Sequence, residues 1–111
     1  MSISIENPSA ILTAKKVYEL LCFDYLNPTK YTVSGRTPAS IQRSTKTNYP
    51  ALIEVLTIMV QYELLESRES IDGYISYRAK NIPEIIKKTK SKFLFIRYCN
   101  VYISGFNFYY S

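Results

Sequence analysis

The sequence contains no histidine and no tryptophan, and only three glycines and two cysteines. Without an imidazole, neither a histidine base nor a Ser–His or Cys–His nucleophile can be assembled. Cys22 and Cys99 lie far apart and lack CxxC or CxxH spacing, which excludes a zinc centre of ordinary composition. There is no phosphate-cradling glycine loop, and Glu19, Asp24, Glu66 and Glu69 show no paired-carboxylate or metal-ligand spacing. The chain is therefore expected not to be an enzyme, and to use no metal, cofactor or small molecule. Its cysteines are expected to be reduced and buried, with a Cys22–Cys99 or intersubunit disulfide as the alternative.

Long apolar runs are also missing. The stretch from Leu52 to Val60 is interrupted by Glu54 and is too short to span a bilayer. Phe93 to Tyr110 follows a basic run as a membrane anchor would, but Arg97, Asn100 and Asn107 are costly in hydrocarbon. The opening residues do not pair a basic region with an apolar core, as a secretory signal does. No membrane partner is expected, and the location is expected to be cytoplasmic.

A length of 111 residues, 47% of them hydrophobic, suits one domain with a core. Eleven tyrosines supply apolar bodies with polar tips, suited to core edges and interfaces. The formal charge of +5 permits a polyanionic partner without requiring one.

Along the chain, Ser9 is expected to cap a helix over Ala10–Leu26, ended by Asn27-Pro28. Lys30 to Gly35 reads as a short strand. Thr37 and Pro38 open a second helix that fades at Ser44–Thr47. Asn48 and Pro50 open a third, on which Leu52, Leu56, Met59 and Val60 form an apolar stripe facing away from Ile53 and Glu54. Leu64–Glu69 and Tyr74–Ala79 alternate and flank Asp72-Gly73, the signature of a hairpin. A helix is expected from Ile82 or Pro83 towards Ser104, although the residues after Lys92 also allow a strand pair.

This order of elements resembles winged helix-turn-helix regulators of the MarR and ArsR kinds, over Thr37 to about Lys80 and more loosely Ser9 to Leu26. Ile41 stands at the central leucine, "KTN" at the turn, Leu52 and Leu56 at the recognition-helix core, and "MVQYELLES" at the closing motif. Lys46 and Glu63 depart from the pattern, standing where such proteins commonly have a left-handed glycine; strain or a different exit would follow. The residue usage, rich in Ile, Lys, Tyr and Asn, is similar to that of small proteins from viruses and plasmids of heat-loving archaea.

The resemblance implies an α+β fold, mainly α: one winged-helix domain with a three-helix core, a β-hairpin wing and a helical or aromatic C-terminal extension. It implies a regulator that binds double-stranded DNA as a dimer, with residues 82–111 as the dimerisation extension because Phe93–Tyr110 is too apolar to leave exposed. The start of the third helix would then enter the major groove. Asn48 either caps the helix or bonds adenine, and Tyr49 reaches phosphate or sugar. Ile53 touches a thymine methyl and Glu54 accepts from cytosine, or one packs internally and the other is solvated. Arg36, Ser40, Arg43, Lys46 and Thr47 would contact the backbone. Arg68, Arg78 and Lys80 sit on the wing, which serves either the DNA or only the fold. The alternative is a winged helix repurposed as a protein-binding adaptor or inhibitor, which Ile53 and Glu54 favour.

Overall fold

The computed structural model describes residues 5, 6 and 8–110. The chain is α+β and mainly helical. Five helices, α1 (Pro8–Leu26), α2 (Pro38–Thr45), α3 (Tyr49–Gln61), α4 (Glu84–Lys87) and α5 (Lys92–Ser104), accompany an antiparallel hairpin of β2 (Leu65–Glu69) and β3 (Ile75–Ala79). A second, two-residue antiparallel pair joins β1 (Ile5–Glu6) to β4 (Tyr109–Tyr110). Among the described residues no helix is long and apolar enough to cross a membrane.

α1 is the axis of the core. It is rich in strong helix formers and free of glycine. Ala14, Val17, Tyr18, Leu21 and Cys22 are fully or almost fully buried because α2, α3, α5 and β3 all pack against this one helix. It starts earlier than expected, so Ser9 lies inside the first turn and does not cap it. Asn27 ends it, directing both its backbone N–H and its side-chain amide to the Phe23 carbonyl (2.9 and 3.1 Å) ahead of Pro28.

The strand expected over Lys30–Gly35 does not form. Thr29 and Thr32 lock this segment into a tight turn: the Thr29 N–H donates to the Thr32 hydroxyl at 3.0 Å, and Val33 N–H donates to the Thr29 carbonyl at 2.9 Å. Local hydroxyl-to-backbone bonds here outcompete the β-propensity of Tyr31, Thr32 and Val33. Arg36 reaches the hairpin, exchanging two backbone hydrogen bonds with Tyr77 at 2.9 and 2.8 Å, and the Ser34 carbonyl accepts from the Ser76 hydroxyl at 3.1 Å. Gly35 makes that approach possible. Its φ is +96°, and a Cβ there would stand 2.7 Å from the Tyr77 carbonyl oxygen.

α2 and α3 begin as the sequence predicts. The Thr37 hydroxyl accepts from Ser40 N–H, and Asn48 Oδ1 accepts from Ala51 N–H at 3.2 Å. Ile41, Leu52, Leu56 and Met59 are buried, joined by Val55, while Val60 is only partly covered. Lys46 and Glu63 keep the left-handed conformation without glycine, with φ of +56° and +62°. At Lys46 the N–H donates to the Gln42 carbonyl at 2.7 Å. At the end of α3, Glu63 N–H donates to Val60 and Leu64 N–H to Met59, at 3.0 and 2.9 Å, the paired bonds of a Schellman exit. That exit turns the chain directly into β2, so Leu64 and Leu65 enter the core.

The single helix expected from Ile82 or Pro83 to Ser104 is in fact two. α4 closes after one turn, and Ser91 restarts the chain by accepting from Leu94 N–H. Phe95, Cys99 and Ile103 of α5 pack into this chain's own core. The segment after it turns back, where Phe106 and Phe108 meet Tyr62 at ring distances of 5.2 and 6.1 Å and the Tyr62 hydroxyl donates to the Asn107 carbonyl at 2.7 Å. Much of the aromatic extension therefore completes this chain's own core, while Phe93 and Val101 remain 70% and 64% exposed.

Two substitutions at positive φ should move stability in opposite directions. Gly35→Ala, which adds both strain and a clash, is expected to cost about 2 kcal/mol or more. Lys46→Gly, which relieves the left-handed penalty of an exposed residue, is expected to gain about 0.5–1 kcal/mol. Urea titrations monitored by circular dichroism read both changes.

Candidate nucleic-acid interface

The turn between α2 and α3 is held from within. Gln42 Nε2 donates to the Thr47 carbonyl at 3.3 Å, and the Thr45 and Thr47 hydroxyls lie 3.0 Å apart. These bonds fix the direction in which α3 sets out. Its leading turn is open: Tyr49 is 46% and Ile53 36% exposed, and Asn48, Pro50 and Glu54 are exposed as well. Asn48 Oδ1 is committed to the cap, leaving its amide nitrogen to face outward. The same face continues through Thr57 and Gln61, both exposed, which the sequence reading did not single out. Their i+4 and i+8 spacing from Ile53 is the signal that would have found them.

The basic residues divide into committed and uncommitted groups. Arg36 spends its guanidinium internally: Nε and Nη2 engage both oxygens of the buried Asp24 carboxylate, and Nη1 donates to the Ser44 hydroxyl at 2.8 Å. Ser40 lies by the same guanidinium at 3.4 Å. Arg36 therefore joins α1, α2 and the hairpin, and its role as a backbone anchor gives way to that structural one. Arg78 is paired with Glu66 and rests near the Tyr25 ring, and Lys80 is paired with Glu63, which holds the lysine's pKa above its usual value. Arg43, Lys46 and Arg68 are exposed and form no ion pair among the described residues.

The hairpin tip is apolar and mildly acidic. Ile71, Tyr74 and Ile75 are exposed there, beside Glu69 and Asp72. Burial pushes up the Tyr77 phenol, with Tyr49 adding to the effect, so a second tyrosine stands near the start of α3. A groove of about 410 Å³ beside the end of α2 is lined by Lys16, Glu19, Phe23, Thr45, Lys92 and Phe95, among others. Burial in it raises the Glu19 carboxyl, against the opposing pull of Lys92. No group of three or more Cys, Asp or Glu side chains able to hold a metal gathers among the described residues.

No family model matches the chain, and neither a curated protein nor a solved structure is significantly similar to it. The site is therefore argued from its geometry alone.

The Asp24–Arg36 pair makes a direct test of the junction. Arg36→Gln strands a carboxylate that is almost fully buried, and is expected to cost about 3 kcal/mol in a urea titration. Adding Asp24→Asn removes the stranded charge and should recover part of that loss.

Proposed function

We propose that the chain is a winged helix-turn-helix protein that binds double-stranded DNA, with α3 as the recognition helix and the β2–β3 hairpin as the wing. The observation that carries this reading is the open leading turn of α3, flanked by the unpaired cations Arg43 and Lys46 on a turn fixed by its own hydrogen bonds. Tyr49, Ile53 and Glu54, with Thr57 one turn further, present the mixture of apolar and hydrogen-bonding groups that base edges accept. Arg43 and Lys46 supply phosphate contacts, and Arg68 does so from the wing.

The protein acts in this reading as a two-fold dimer. Phe93 and Val101 are eight residues apart on α5 with the exposed Arg97 midway between them, and Leu94 and Ile85 are exposed as well. Such a surface is unfavourable in water and suits isologous pairing, which would present two recognition helices to one face of a duplex.

A second reading, that the same face docks a protein, is favoured by two specific observations: the carboxylate of Glu54 on the exposed face of α3, and the apolar wing tip of Ile71, Tyr74 and Ile75. One set of titrations separates the two. Three uncommitted cations at the proposed site of each subunit, Arg43, Lys46 and Arg68, make six in the dimer and predict that the logarithm of duplex affinity falls with the logarithm of salt at a slope of about −5. Arg43→Ala/Lys46→Ala should reduce the slope to about −2. Glu54→Gln should tighten binding several-fold by removing repulsion from phosphate. Absence of duplex binding at low salt, or a slope indifferent to Arg43 and Lys46, overturns the DNA reading.

The dimer is tested separately. Val101→Glu places a charge in the centre of the proposed contact, and sedimentation should show a folded monomer where the unaltered chain is a dimer. A monomeric unaltered chain at micromolar concentration would refute the pairing.

A further inference from the structure

Helices α1 and α5 run antiparallel, and their facing residues can be read off two ring contacts. Tyr18 meets Tyr102 with ring centroids 5.7 Å apart, and Phe23 meets Phe95 edge-on at 6.5 Å. As the numbers rise along α1 they fall along α5. The pairing of Ile5 with Tyr110 and Glu6 with Tyr109 continues the same sense beyond the helices. Between the two ring contacts, one turn after Tyr18 and one turn before Tyr102, lie Cys22 and Cys99. Both are free thiols, both are fully buried, and the two thiols are in contact with each other.

We propose that Cys22 and Cys99 form a site for an intramolecular disulfide that fastens the C-terminal helix to the first helix. The inference is independent of any role in DNA binding. A disulfide requires Cα atoms within about 7 Å and side chains that meet, and the contact between the two thiols across the helix pair supplies the second of these. The oxidant is a low-molecular-weight disulfide of the glutathione type. One cysteine thiolate attacks it, forming a mixed disulfide and releasing one glutathione thiol. The other thiolate then attacks the protein-side sulfur, forming the Cys22–Cys99 bond and releasing the second. Two protein thiols are oxidised, one small disulfide is reduced, and the two protons end on the glutathione thiols.

The folded state shields this pair from reaction. Burial pushes the Cys22 thiol up, and Cys99 adds to the shift, so Cys22 is held as the thiol in the folded chain. The bond therefore forms while α5 is undocked, during folding or local opening, and docking then protects it. Since the loop it closes runs from residue 22 to residue 99, its effect on the unfolded ensemble is near the upper end of what one disulfide achieves.

The test refolds the unaltered full-length chain from denaturant in a glutathione redox buffer, with a parallel sample in excess reductant. The oxidised product is expected to be a single chain, lighter by two hydrogen atoms, with no thiol titratable in denaturant. Its melting temperature should exceed that of the reduced sample by about 10 °C. Cys99→Ala should show neither the mass loss nor the rise. Retention of both thiols, glutathione adducts in place of the internal bond, cross-linking between chains, or an oxidised form that melts at or below the reduced one would each overturn the proposal.

Discussion

The fold depends on satisfying one buried carboxylate. Asp24 sits near the end of the central helix with little access to water, where an unpaired charge would be strongly unfavourable. Arg36 answers it with two bonds, and in doing so fixes its own backbone against Tyr77 and its remaining guanidinium nitrogen against Ser44. One residue thus settles how α1, α2 and the hairpin meet. Such a pair need not add net stability over a hydrophobic replacement, but once Asp24 is present Arg36 has few alternatives. The direction of α2 follows, and through the tight turn after it, so does the direction of α3.

The second constraint is the pair of left-handed exits. Glycine would enter that conformation without strain; Lys46 and Glu63 enter it because the surrounding bonds leave no other path. At Glu63 the two Schellman bonds are supplemented by Lys80 on the carboxylate and by Asn81 Nδ2 donating to the Glu63 carbonyl at 3.1 Å. The exit of α3 is therefore tied to the far end of the hairpin that it launches. A stiff connection of this kind keeps the hairpin and the outer face of α3 in one fixed relation, as a composite binding surface needs.

What was legible in the sequence was local. Thr37, Asn48 and the proline after each announce their helices because a cap acts within three residues, and the spacing of Leu52, Leu56 and Met59 gives the buried side of α3 directly. The hairpin was legible for the same reason. The short strand over residues 30–35 was misread because β-prone side chains do not reveal that Thr29 and Thr32 will bond to each other's neighbourhood first. Ser91 was overlooked as a cap because the lysines around it read as one solvated helical face. The open face of the site could be inferred from periodicity, but the fate of Arg36, Arg78 and Lys80 could not. Their partners are 12 to 17 positions away, and only the folded arrangement selects them.

That selection changes what net charge means here. The chain carries 14 basic and 9 acidic residues, yet the ion pairs remove Arg36, Arg78, Lys80 and, more loosely, Lys87 from the field an approaching partner feels. What remains is uneven. Arg43 and Lys46 stand at the end of α2, while Lys88, Lys90 and Lys92 follow one another between α4 and α5. One groove is lined by Ser44 and Thr45 of α2 and by Lys92 of α5, together with Lys16 and Glu19 of α1, so the end of α2 and the end of the lysine run border the same groove. Since screened potentials fade over about 8 Å at physiological salt, cations gathered on one flank act together where the same number spread over the surface would not. Among the described acidic residues outside the ion pairs, Glu19 lies in that groove, while Glu54 is on α3 and Glu69 and Asp72 are on the hairpin. In the proposed DNA reading, the charge of Glu54 is the term that decides how closely α3 can follow a duplex.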